Sequence, residues 1–157
     1  MGVRREGREA AIQFLYQRDL GGGAGAADLQ DFYAFRGLSP AARRFCEGLV
    51  SGLLERTEAI DAALREHTQN YELERLSAVD RNILRLAVHE MLHCDDIPPV
   101  VSINEAIDIA KKYGTEESGR FVNGVLDKIK ATLKRPDRTP SSNRQDKPVQ
   151  DNQPSQD

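Results

Sequence analysis

The chain has no tryptophan, only two cysteines (Cys46 and Cys94), and no apolar run near the length of a membrane span. Each scarcity excludes something. Two cysteines in 157 residues do not make a disulfide framework, so a reducing cytoplasm is the expected setting. A bilayer-spanning helix needs about 20 consecutive apolar residues, so no membrane segment is predicted. The opening Met1-Gly2-Val3-Arg4-Arg5-Glu6-Gly7-Arg8 leads into no uncharged apolar stretch, which argues against a secretory signal. Gly7 stands where a myristoylation signal wants Ser or Thr. Charge of one sign is missing as well. With 22 Lys and Arg against 25 Asp and Glu the net charge is −3, so any nucleic-acid contact must come from local clusters.

Sustained two-residue alternation between hairpin turns is also lacking, so no sheet is predicted. Helical periodicity is there instead. It reads as a helix from Arg4 to Leu20 with Ala11, Ile12, Phe14 and Leu15 on one face, then a short helix about Asp28 to Phe35. Ser39-Pro40 caps a helix reaching Leu53-Leu54. Thr57 to Glu66 follows with Ile60 and Leu64 inward, then a turn bracketed by Leu73 and Leu76. Ser77 is the predicted N-cap of Val79 to His93, the most hydrophobic segment, which Pro98-Pro99 closes. Ser102 and Glu105 form a capping box for Ile103 to Tyr113. Thr115 caps a last helix carrying Phe121, Val122, Val125, Leu126, Ile129 and Leu133. The expectation is an all-α fold, a compact helical bundle of about six or seven helices over residues 1–133. Residues 134–157 hold four of the seven prolines among Ser, Gln, Asn and Asp, the composition of a disordered polar tail.

Several patterns could carry chemistry. Arg4, Arg5 and Arg8 crowd the start of the first helix, where the dipole disfavours cations; guanidinium groups there suit phosphate oxygens, and a solvated basic terminus is the plain alternative. Tyr113, Glu117, Arg120 and Phe121 place an arginine beside two aromatic rings at a helix start, a combination that stacks unpaired bases, although Phe121 alone fits a core position better. Gly124 in the same helix suggests close packing around it. His89-Glu90-Met91-Leu92-His93 is a literal zinc-peptidase pattern, with Glu116 or Glu117 downstream as a third ligand. Helical stepping puts Ile83, Leu84, Ala87, Val88 and Met91 on one arc and His89, His93, Asn82 and Arg85 on the other, so the histidines are expected to face water or a partner rather than a dry catalytic cleft. The run Gly21-Gly22-Gly23-Ala24-Gly25 lacks the Lys-Ser/Thr of a phosphate loop and reads as a hinge. Ser77 and Asp80 near His89 are explained by capping before any nucleophile role. Tyr16 reads as core or as a partner contact, and His67 points to nothing specific.

Three motifs in order resemble the NusB family of bacterial transcription antitermination factors. They are Arg4-Arg5 with Arg8-Glu9-Ala10-Ala11 and Leu15-Tyr16; Val79-Asp80-Arg81-Asn82-Ile83-Leu84-Arg85-Leu86-Ala87 with Glu90 and Leu92; and Ile103-Asn104-Glu105-Ala106-Ile107-Asp108-Ile109-Ala110-Lys111 with Tyr113-Gly114 and Arg120-Phe121-Val122-Asn123-Gly124-Val125-Leu126-Asp127. The resemblance spans about Arg4 to Ile129. It implies two packed helical subdomains, about 1–72 and 73–133, with no catalysis, no metal and no cofactor. It also implies binding of boxA RNA together with NusE, a small-subunit ribosomal protein, in a complex with NusA, NusG and RNA polymerase. By matching positions it assigns RNA contact to Arg4, Arg5, Arg8, Tyr113, Glu117, Arg120 and Phe121, and NusE contact to Tyr16, Glu74 and Asp80. Three departures stand out. Glu6 replaces an arginine found in related proteins, Asp80 is shorter than the glutamate of some members, and His89 sits where tyrosine often occurs.

Other readings remain at this stage. One is a helical protein–protein adaptor without RNA, and another is the zinc peptidase. The helical module also resembles the N-terminal part of some ribosomal-RNA cytosine methyltransferases. No glycine-rich βα methyl-donor segment follows here, so binding of S-adenosylmethionine is not expected.

Overall fold

Proline is well tolerated at the first position of a helix, where its missing N–H would have had no partner, and two helices here begin that way. The structure is a computed structural model describing residues 2–21, 30–33, 36–68 and 71–133. Its helices are α1 (Val3–Gly21), α2 (Pro40–Glu55), α3 (Thr57–His67), α4 (Ala78–His93), α5 (Pro99–Tyr113) and α6 (Ser118–Thr132), with a 3-10 turn at Leu73–Arg75. Residues 30–33 are helical too, and no strand occurs among the described residues. The remainder of the expected Asp28–Phe35 helix, the glycine run beyond Gly21 and the tail 134–157 lie outside them. Among the described residues no helix is long and apolar enough to cross a membrane.

Two expected caps hold. The Ser39 Oγ accepts the Ala42 N–H at 3.2 Å ahead of Pro40, and the Ser77 Oγ accepts the Asp80 N–H at 3.1 Å. Two do not. Pro98-Pro99 starts α5 instead of merely closing α4, so Ser102 is a buried residue of that helix, its hydroxyl donating to Glu90 at 2.8 Å. Thr115 is no cap for α6. It lies ahead of the helix, and its N–H donates to the Ser118 Oγ at 2.9 Å. Proline at the first helical position supplies the fixed backbone angle that a side-chain cap would otherwise have to select.

The centre of the molecule is α4, which packs against every other helix of the bundle. A helix so surrounded buries more than one face, and some of its polar residues go inward with the rest. This overturns the expected placing of two side chains: His89 and Asn82 are 3% and 1% exposed, while His93 remains at the surface. The arc argument assumed one buried face, and α4 has more than one. The His89 ring lies against α2 at Gly52, where an added Cβ would come within 2.7 Å of it, so that position has room for glycine alone. One continuous apolar core runs from Ala10, Phe14 and Leu15 of α1 through Leu53, Ile60, Leu84 and Met91 to Ile109, Leu126 and Ile129.

Gly124 departs from expectation in the other direction. A Cβ there would meet nothing within 4 Å, so no close packing calls for glycine. Gly124→Ala should therefore stabilise the fold by about 0.5–1 kcal/mol in urea titration, through helix propensity alone.

Candidate nucleic-acid interface

The three N-terminal arginines share one helix end but not one environment. Arg4 is exposed, reaching Asp96 at 3.3 Å with its guanidinium 5.2 Å from the Phe45 ring centre. Arg5 is half-buried and grips α5, with bonds of 2.5 and 2.9 Å to Glu105 and 2.9 Å to Asp108. The hydrogen bond from Arg5 holds the Glu105 carboxyl below the usual carboxylate range. Arg8 is buried, its guanidinium making paired bonds of 2.8 and 2.9 Å to Glu90, which also accepts from Ser102. Arg8 therefore offers no open face to a phosphate. The dipole cost that made these residues look functional is met by acids from helices distant in sequence.

The end of α5 continues this surface. Glu9, 2% exposed, accepts the Tyr113 hydroxyl at 2.8 Å and the Lys112 ammonium at 3.0 Å. Burial and then the Glu9 carboxylate push the Tyr113 phenol above its ordinary pKa, so it stays a donor. Five residues after Tyr113, α6 begins alongside α5: a Cβ on Gly119 would lie 3.2 Å from the Lys111 stem. Arg120 then stands in solvent, its side chain 83% exposed and, among the described residues, ion-paired only with Glu117 at 2.9 Å. Phe121 is half-buried, set edge-to-face against Tyr71 with ring centres 5.0 Å apart.

Tyr16, 37% exposed, and Tyr113 line a groove of about 510 Å³ with Phe32 and Val79. Asp80 lines a neighbouring groove with Tyr71, Thr115 and Phe121. One Asp80 carboxylate oxygen is buried without a hydrogen-bond partner among the described residues. Glu74 pairs with Arg65 at 2.5 Å on the open surface, and that bond lowers the Glu74 pKa.

The zinc-like pattern is engaged in the fold. Glu90, the residue in the place of a catalytic base, is committed to Arg8, and the His89 and His93 rings stand 5.6 Å apart at 38°. Among the described residues no three His, Cys, Asp or Glu side chains group to hold a metal. Sequence reasoning missed Lys112, Tyr71 and Phe45. The first could have been found from the Lys111-Lys112 pair at a helix end; the other two become visible only when α1, α2, α3 and α6 meet.

These features define an all-helical scaffold whose polar and aromatic groups gather in shallow surface grooves rather than in an enclosed catalytic cleft. The family model described as the NusB family matches residues 5–131. The chain belongs to that family. It is 48% identical over 137 residues to the transcription antitermination protein NusB of Desulfosudis oleivorans, covering 85% of this chain and 88% of that protein. The solved T. maritima NusB is similar at 36% identity and a TM-score of 0.75, with 88% and 94% of the two chains covered. A chain from a complex of antitermination factors NusB and NusE with dsRNA is similar at 30% identity and a TM-score of 0.77, with 83% and 98% covered.

Proposed function

We infer that this chain is a non-enzymatic transcription antitermination factor that binds boxA-type single-stranded RNA of nascent ribosomal transcripts together with NusE. NusA, NusG and RNA polymerase are its further partners in that complex. The observation that carries this reading is a string of groups on adjoining helix ends. Arg4 and Arg5 at the start of α1 lead through Glu9, Lys112 and Tyr113 at the end of α5 to Arg120 and Phe121 at the start of α6. Charge and rings in one strip give phosphate affinity and base stacking together. Tyr16 with its groove, Asp80 and Glu74 are the contacts assigned to NusE. Arg8 serves by anchoring the helix end that presents Arg4 and Arg5, and Tyr113 and Glu117 by positioning their neighbours.

With Arg8 withdrawn from phosphate contact, Arg4, Arg5 and Arg120 remain, and log affinity for boxA-like RNA should fall with log salt at a slope of about −2. Arg4→Ala with Arg5→Ala should flatten that slope by more than about one unit, because each phosphate contact on single strands releases about 0.7 counterion. Measured by fluorescence anisotropy with NusE present, an unchanged slope assigns these arginines to intramolecular pairing only. Phe121→Ala should weaken RNA binding in a protein that remains folded.

A further inference from the structure

The outer face of α6 carries the strip above beyond Arg120. Arg120, Gly124 and Lys128 recur every fourth residue and form one stripe along the helix. The Cα atoms of Arg120 and Lys128 are about 12 Å apart along the helix at 1.5 Å per residue. Lys128 is exposed and has no ion pair among the described residues. Between them Gly124 forfeits helix stability with no neighbour requiring it, and leaves a notch. Tyr71 lines the same groove of about 570 Å³, 56% exposed yet held in place by its edge-to-face contact with Phe121. Large exposed rings are costly to leave in water, and this one lines an open groove that two cations also line. Glu66, which also lines the groove, and Glu117 beside Arg120 limit the net positive charge, which suits one nucleotide more than a long polyanion.

We propose that this groove is a subsite for a single unpaired nucleotide of the bound RNA, with its base stacked on Tyr71 and its flanking phosphates held by Arg120 and Lys128. Gly124 provides the opening that the sugar needs. The proposal rests on the RNA reading above and adds Tyr71, Gly124 and Lys128 to it. Stacking on one aromatic side chain is worth about tenfold in affinity, and a neutral ring serves as well as a phenol.

The test titrates boxA-like RNA into the full chain with NusE present, using the unmodified RNA and a series in which one nucleotide at a time is abasic. Tyr71→Ala should weaken binding about tenfold while Tyr71→Phe stays within about twofold. Gly124→Leu, which fills the notch from a solvent-facing helix position, should weaken binding comparably without lowering the melting temperature. One abasic position should weaken the unmodified protein about tenfold and leave Tyr71→Ala unaffected, since both remove the same stack. Wild-type affinity in both Tyr71→Ala and Gly124→Leu overturns the subsite while the RNA reading stands. So does loss of NusE binding by Tyr71→Ala without RNA, which would make the groove a protein seat. Absence of RNA binding by the unmodified protein with NusE overturns the RNA reading itself.

Discussion

Arg8→Ala should lower the free energy of unfolding by about 3–5 kcal/mol, the cost of leaving a buried charge without its partner. The charge left behind is Glu90, 1% exposed, which among the described residues would keep only the Ser102 hydroxyl at 2.8 Å. Glu90→Ala should cost a comparable amount by stranding the guanidinium, whose remaining acid is Glu105 at 3.6 Å. Arg8→Met combined with Glu90→Leu removes both charges and refills their volume, so it should recover most of the loss. Urea titration of the three variants measures this. If Arg8→Ala instead unfolds at the wild-type midpoint and loses RNA affinity, the side chain is a phosphate contact and the burial argument is wrong. The experiment matters because Arg8→Ala would otherwise pass for a binding mutant while acting through the fold.

Stability should fall by about 3 kcal/mol as pH drops from 6.5 to 4, with His89 as the main cause. Burial first, then His93 and Arg56, push its imidazole from an ordinary 6.5 down to about 4. The unfolded chain takes up that proton near pH 6.5 and the folded chain only near 4. Between these values the unfolded state binds more protons, so acid favours unfolding. The groups facing the ring are His93 on α4, whose own pKa is lowered by burial and Arg56, and Arg56 at the junction of α2 and α3. Below about pH 4.5, protonation of Glu105, whose folded pKa is depressed by Arg5, adds a second loss. His89→Phe keeps a ring against Gly52 and removes the titration. Its urea midpoint should fall much less than that of the wild type between pH 6.5 and 4.5, the remainder coming from His93, and a slope equal to wild type would reassign the effect to other groups.

Helix positions were legible where a local signal sufficed. Ser39-Pro40 and Ser77 announced α2 and α4, and Ile60 and Leu64 faced the core as their spacing required. The errors share a cause. Ser102 and Thr115 look like caps on their own, yet Pro99 had already opened one helix, and Ser118, not Thr115, begins the other. His89 and Asn82 were expected to face outward because a helical wheel shows one polar arc but not how many neighbours surround the helix. The arginine cluster was visible as composition. Its division into the exposed Arg4, the half-buried Arg5 and the buried Arg8 was not, because their partners Asp96, Glu105, Asp108 and Glu90 lie 82 to 103 residues away.

Taken alone, the order of residues determined that this chain is helical, where most of its helices run, and which three motifs mark its family. These follow from interactions within a few residues, or from a pattern read position by position. Only the tertiary structure decided which charges reach solvent and which are consumed inside. A guanidinium's availability depends on the acid that packs against it, and that acid is supplied by another helix.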